Sequence, residues 1–254
     1  MLVLKKYQLG IILFTFLVTV QLIDAQDSSN TELPQKTIIP EDLTALDVIS
    51  TYVEASGGKD NYINVHDRTT MMTGKMMNRE FSVQIQQKEP DKLRQEVNAG
   101  PAKQTFIFDG TKGVMKIGDN STPLEGNELN RTKIEAQMNF LLDPPAYGVT
   151  MEFDGVEEID STKCYKISMT IDSSTTWIQY YDVNSGLKTK ELRDVEMPQG
   201  KYKQETYYDD YRDVDGIKYP FKIKQIIGTQ SVEMRVDSIK VNTGLNDKLF
   251  EISE

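Results

Sequence analysis

Few residues in this chain have the type and spacing to do chemistry. Cysteine and histidine occur once each, as Cys164 and His66. A thiol nucleophile needs a lowered pKa and a base partner, so Cys164 with His66 is the one such pair available. His66 is followed by Asp67, which could orient it as in a catalytic dyad. No G-x-S-x-G motif supplies a nucleophile to match. The favoured readings are an ordinary surface histidine and an inert thiol beside a strand. Zinc centres built from several histidines or cysteines, including HExxH, need more of these residues than the chain has.

Carboxylates are the other chemical resource. Asp209, Asp210, Asp213 and Asp215 crowd the stretch Tyr207–Gly216. Calcium is held by carboxylates from a loop, but this spacing does not fit an EF-hand. Alternate positions 209, 211, 213 and 215 would share one face of a strand, three aspartates and a tyrosine facing solvent. With 39 Asp and Glu in the chain, carboxylate pairs of the glycosidase kind arise by chance and single out nothing. Gly57-Gly58 matches neither GxGxxG nor a P-loop. Asn120-Ser121-Thr122 and Asn130-Arg131-Thr132 match the glycosylation pattern, which matters only in a eukaryotic secretory pathway. No catalytic residue, metal site or cofactor is therefore expected, and the chain reads as a non-enzyme.

The whole-chain figures narrow the classes further. Of 254 residues, 38% are hydrophobic and 27% charged, and the formal net charge is -10. Nucleic-acid binders carry a basic excess that displaces counterions, so nucleic acid is not an expected partner. One cysteine allows no intramolecular disulfide. Lys5 and Lys6, the uncharged apolar run Leu9–Val20 and the Ile23-Asp24-Ala25 site give the three-part layout of a secretory signal over residues 1–25. The run is shorter than the ~20 residues a membrane-spanning helix needs. No cysteine near the cleavage region could carry a lipoprotein anchor. Residues 26–40 read as a flexible linker, and residues 41–254 as a single domain, exported and soluble after cleavage.

The elements that must position any site follow from periodicity. A helix is predicted from Glu41, with Leu43, Leu46, Ile49 and Val53, joined by Val48 and Tyr52, at 3- and 4-residue spacings, Glu41 and Asp42 complementing its dipole, and Gly57-Gly58 ending it. The period then drops to two. Phe81, Val83 and Ile85 alternate with polar residues, as do Tyr147–Phe153, Tyr165–Ile171, Phe221–Ile223 and Val232–Val236. Such runs mark antiparallel strands with one apolar face. Asp109-Gly110, Asp154-Gly155, Asn184-Ser185-Gly186 and Asp215-Gly216 read as hairpin turns. Ten or eleven strands are expected, about five before and six after a helix over Glu128–Leu142 that Asp143-Pro144-Pro145 ends. A mainly β, α+β chain of this kind forms one large curved sheet or a barrel.

A wide curved sheet must be filled by helices or by a ligand. Methionine, a flexible filler suited to varied apolar ligands, occurs at Met71, Met72, Met76 and Met77, and again at Met115, Met138, Met151 and Met169. A plastic interior cavity and a plain packed core both fit this composition.

Five stretches together resemble a known family. They are Tyr52-Val53-Glu54-Ala55-Ser56-Gly57-Gly58, Phe108-Asp109-Gly110, Tyr180-Tyr181-Asp182 with Ser185-Gly186-Leu187, Asp210–Pro220, and Val241–Asp247 followed by Leu249-Phe250. In this order, over residues 45–252, they resemble the outer-membrane lipoprotein-sorting proteins (LolA/LolB-like fold), especially exported relatives of the Bacteroidetes type. The resemblance implies an unclosed antiparallel β-barrel of about eleven strands with helices as lid or plug. It also implies a carrier that holds acyl chains in an apolar cavity, and it carries over no catalytic residue.

On that basis the expected function is a periplasmic lipid or lipoprotein carrier, active in outer-membrane biogenesis. The expected lipid-binding residues are Phe81, Val83, Ile85, Phe106, Phe108, Met115, Met138, Tyr147, Met151 and Phe153, with helix Glu128–Leu142 as gate. Expected partners are acyl chains, envelope proteins and, transiently, a membrane surface, with the protein itself a monomer. The alternative is a non-catalytic accessory module of an exported peptidase or envelope complex, which predicts a filled core.

Overall fold

The computed structural model describes residue 40 and residues 42–76, 79–100, 102–197 and 200–252. The expected export signal (1–25) and linker (26–40) lie outside them, Pro40 excepted, as do Glu41 and Met77. No helix among the described residues is long and apolar enough to cross a membrane.

Helix α1 spans Ala45–Ser56 and buries Val48, Ile49, Tyr52 and Val53. Its start is set by a capping box. The Thr44 hydroxyl accepts from the Asp47 amide, and the Asp47 carboxylate accepts from the Thr44 amide at 2.9 Å. Two donors that a helix N-terminus leaves unpaired are thereby satisfied. Asp47, not the expected Glu41 and Asp42, is therefore the acid of the first turn. Gly57 ends the helix at φ 141°, and a Cβ there would lie 2.2 Å from the Gly216 carbonyl oxygen. Only glycine meets both demands. A short helix, α2 (Lys59–Ile63), follows.

The strands are β1 (Asp67–Met76), β2 (Arg79–Lys88), β3 (Lys92–Ala99), β4 (Ala102–Phe108), β5 (Gly113–Ile117) and β6 (Asn120–Pro123). After helix α3 (Gly126–Ala136) and two 3-10 turns (Phe140–Leu142, Pro144–Tyr147) come β7 (Thr150–Ile159), β8 (Thr162–Asp172), β9 (Thr175–Asp182), β10 (Lys188–Met197), β11 (Gly200–Val214), β12 (Ile217–Ile227) and β13 (Gln230–Val241). All pair antiparallel in one sheet of order β6-β5-β4-β3-β2-β1-β13-β12-β11-β10-β9-β8-β7. The chain thus makes two meanders, and β13 returns to join them by pairing with β1. The edges β6 and β7 stay apart, so the barrel is unclosed. Thirteen strands form among the described residues, against the eleven expected. Strand β6, Asn-Ser-Thr-Pro, has no apolar alternation to reveal it.

Four local expectations need correction. Asp154-Gly155 is not a hairpin turn but lies inside β7, where the pairing with β8 shifts between Phe153 and Gly155. Gly155, at φ 97°, supplies the conformation of a bulge. The β7–β8 turn is instead Asp160-Ser161, both at positive φ. Helix α3 stops at Ala136 because the Met138 amide bonds to the Pro90 carbonyl at 3.2 Å instead of continuing the ladder. Tyr147 lies in a 3-10 turn rather than in β7. Finally, Asp210 sits at φ 55° and breaks the alternation of β11. Tyr211 therefore turns inward, away from the aspartates, and its hydroxyl donates to the Lys188 carbonyl at 2.7 Å.

The inner face of the sheet carries two cores. At one end α1 and the 3-10 turns cover β7–β9 through Phe140, Ile167, Met169, Trp177 and Tyr181. The other core joins β1, β2, β12 and β13 through Met72, Val83, Phe221 and Val236. Helix α3 packs against β4 and β8, spanning the face between them.

Candidate functional site

Two cavities lie between the sheet and the helices. The larger, about 470 Å³, is walled mainly by apolar side chains of β1–β4 and β10–β13, and α3 covers it. Its volume falls in the range of small-molecule sites, which are typically apolar with a few placed polar groups. Met72, Phe81, Val83, Ile85, Leu93 and Val97 face it from β1–β3, Phe106 and Phe108 from β4, and Ile227, Val232 and Met234 from β12 and β13. Alternation in β2 makes this wall: Phe81, Val83 and Ile85 pair across from Gly74, Met72 and Thr70. Gly74 makes room there, since a Cβ would come within 2.6 Å of the Phe81 ring.

The second cavity, about 330 Å³, is polar and aromatic. Tyr52, Tyr62, Tyr208, Tyr211 and Tyr219 ring it with Trp177, Gln87, Gln179, Asn139 and five charged residues. Glu191 is its most buried ion, 2% exposed. It accepts from Gln179 at 2.7 Å, pairs with Lys188 at 3.2 Å and bonds Arg193. Burial pushes the Glu191 pKa up. The charges of Arg193 and Lys188, with hydrogen bonds from Arg193 and Gln179, outweigh that and hold it down to about 2.

Arg193 also bonds Glu135 of α3 and lies 4.0 Å above the Trp177 ring. Arg131 pairs with the same Glu135 at 3.6 Å, and Gln87 donates to the Glu135 carbonyl at 3.2 Å. Glu135 and Arg193 line both cavities. This ion pair is thus the partition between them, and it ties α3 to β10. On the larger cavity's side of α3, burial raises the Glu128 pKa, with the Arg131 charge opposing, and its Oε1 has no hydrogen-bond partner.

The sequence-predicted residues divide among these regions. Phe81, Val83, Ile85, Phe106 and Phe108 meet on the larger cavity. Met138 lines the second. Tyr147, Met151 and Phe153 pack into the core under α1. Met115 is buried opposite Phe106 and accepts a bond from Gln104. The charged set Glu128, Arg131, Glu135, Glu191 and Arg193 carried no sequence signal: the first three lie on α3 and the last two on the charge-rich strand β10, far apart in the chain.

The residues first considered for catalysis are apart from both cavities. His66 is exposed and bonds Glu89 at 2.9 Å. Asp67 is buried and accepts from the Thr243 hydroxyl and from the amides of Thr243, Gly244 and Leu245, tying the C-terminal turn to β1. Cys164 is fully buried, and burial pushes its thiol pKa up, away from thiolate chemistry. Among the described residues, no group of His, Cys, Asp and Glu is placed to hold a metal.

An open, helix-covered antiparallel barrel with an apolar interior cavity defines the class. Solved structures of similar fold are known. One is a LolA superfamily protein from Nitrosomonas europaea, 15% identical, covering 83% of this chain and 98% of its own, at TM-score 0.56. Another is a DUF1329 family protein from Desulfovibrio piger, 10% identical over 81% and 96%, at 0.52. A third is an outer-membrane lipoprotein-sorting protein domain from Vibrio parahaemolyticus, 10% identical over 81% and 95%, at 0.51. The chain has the LolA-like fold. No protein-family model matches the sequence, and no curated protein does either.

Proposed function

We propose that this protein is an exported carrier that holds the acyl chains of a lipid or lipoprotein inside its barrel, as one domain over residues 41–254. The observation that carries this reading is the apolar cavity of about 470 Å³ beneath α3. Phe81, Val83, Ile85, Phe106 and Phe108 form its contact surface. Met138 serves the adjoining chamber, Met115 packs beside Phe106 on the neighbouring strand, and Tyr147, Met151 and Phe153 belong to the core under α1 that flanks the cavities. Burying methylene groups gives about 0.8 kcal/mol each. A dozen would supply on the order of 10 kcal/mol before the cost of ordering the chain. No catalysis is needed, in keeping with the inert Cys164 and the exposed His66.

Native mass spectrometry of protein purified from the envelope of its host tests this. The expected spectrum carries masses of bound lipid, lost in Ile85→Asp, which places a charge on the apolar wall. Lipid-free wild-type protein that also takes up no apolar probe would overturn the reading.

A further inference from the structure

The two cavities follow one another along the same strands. On the β1–β2 ladder the pair Arg68–Gln87 faces the polar chamber, and Met72–Val83, four residues along, faces the apolar one. The same order holds on β12, where Tyr219 lines the polar chamber and Ile227 the apolar one. One interior thus has a polar end and an apolar end, parted by Glu135 and Arg193.

Three polar atoms among the residues lining the polar chamber are buried without a hydrogen-bond partner: Arg68 Nε, Trp177 Nε1 and Asn139 Oδ1. Such groups are rare in folded proteins and call for a partner. Trp177 is only 4% exposed. The chamber's charges do not balance either. Arg68, Lys188 and Arg193 face only Glu135 and Glu191. Those carboxylates are taken by Arg193, Lys188 and Arg131. Arg68 is left with one bond to the neutral Gln87 and a place 5.1 Å from the Tyr219 ring. A partly buried guanidinium without a carboxylate, and a free indole N–H lining the same chamber, offer donors to an anion.

We infer that the polar chamber is a headgroup subsite for an anionic amphiphile, a carboxylate or phosphate on an acyl chain. Arg68 and Trp177 donate to the head, and the tail runs toward Met72 and Phe81. This inference rests on the carrier reading and adds a polarity to it. The ligand has one orientation, and a neutral chain of equal length binds less well. Arg193 and Glu135 must part, or the chain must pass beside them, for one molecule to occupy both ends.

The test compares dodecanoate, dodecyl phosphate and dodecanol on purified protein freed of co-purified lipid on a hydrophobic resin. Dissociation constants come from calorimetry below the micelle threshold. Emission is followed from Trp177, the only tryptophan in the chain. Both anions should bind at least about tenfold more tightly than the alcohol, the scale of a hydrogen bond to a charged group. Arg68→Met should bring all three within about twofold, and Arg68→Lys should restore part of the preference. Tighter binding of the phosphate identifies a phospholipid-type head, and of the carboxylate a free fatty acid. Equal affinities in the wild type overturn the headgroup subsite and leave the carrier intact. A preference that survives Arg68→Met in folded protein overturns it as well. The wild-type readout needs no variant: Trp177 emission that does not change at saturating dodecanoate refutes the placement. Failure of all three probes to bind removes the carrier reading and the subsite together.

Discussion

Replacing Arg193 with methionine is the sharpest test of the partition. Arg193 is the common partner of Glu191 and Glu135, and it stacks on Trp177. Glu191 is 2% exposed and held at about pKa 2 against an ordinary 4.5. At 1.36 kcal/mol per pKa unit, that depression corresponds to about 3 kcal/mol at neutral pH. A depressed carboxyl stabilises the folded state above its unfolded pKa, and the contribution is lost as pH falls from about 4.5 through about 2. Removing Arg193 leaves Lys188 and Gln179 as the remaining partners of Glu191, and breaking a buried pair on one side typically costs 3–5 kcal/mol. Arg193→Met should therefore lose about 3 kcal/mol in urea unfolding at pH 7. The loss should shrink at pH 4, where the variant's Glu191, its pKa no longer held down by Arg193, takes up a proton. Adding Glu191→Gln should recover much of the loss by removing the stranded charge. A cost under about 1 kcal/mol at pH 7, or one that does not change between pH 7 and pH 4, would refute the electrostatic account.

Two further variants probe the frame around the site. Asp67→Ala should cost about 3 kcal/mol, because three backbone amides and the Thr243 hydroxyl lose their acceptor. Hydrogen exchange should show the loosening concentrated at Thr243–Leu245, and uniform protection there would count against it. Gly74→Val should cost roughly 1–3 kcal/mol, as for overpacking, since its Cβ would meet the Phe81 ring at 2.6 Å and the Glu233 carbonyl at 2.8 Å. It should also weaken uptake of an apolar probe by driving Phe81 into the cavity, and unchanged uptake would show that Phe81 does not shape the wall.

How much of this was legible in the sequence depends on the range of the interactions. Alternation in Phe81-Ser82-Val83-Gln84-Ile85 reports a local choice of face, and it placed these residues correctly on the inner side. It could not say what covers that side. Met151 and Phe153 show the same pattern and the same inward direction, yet α1 fills the space above them, whereas α3 leaves a cavity above Phe81 and Val83. Asp-Gly pairs likewise report a tolerance of positive φ but not its use: Asp215-Gly216 turns a hairpin and Asp154-Gly155 bulges a strand.

The polar chamber was invisible for a related reason. Glu191 and Arg193 alternate inward on β10 as an apolar pair would, and they are stable there only because Glu135, Gln179 and Lys188 meet them. Arg193 and Glu135 are 58 residues apart in the chain. No local pattern can distinguish a charged residue that faces water from one whose partner arrives on a distant helix. A hydrophobic interior would have been simpler to build and easier to keep stable, since well-packed apolar side chains often match or exceed a buried ion pair. Charges kept on the inner face, at the junction of two cavities, with donors left over at Arg68 and Trp177, make better sense as a surface for a ligand than as a device for holding the barrel together.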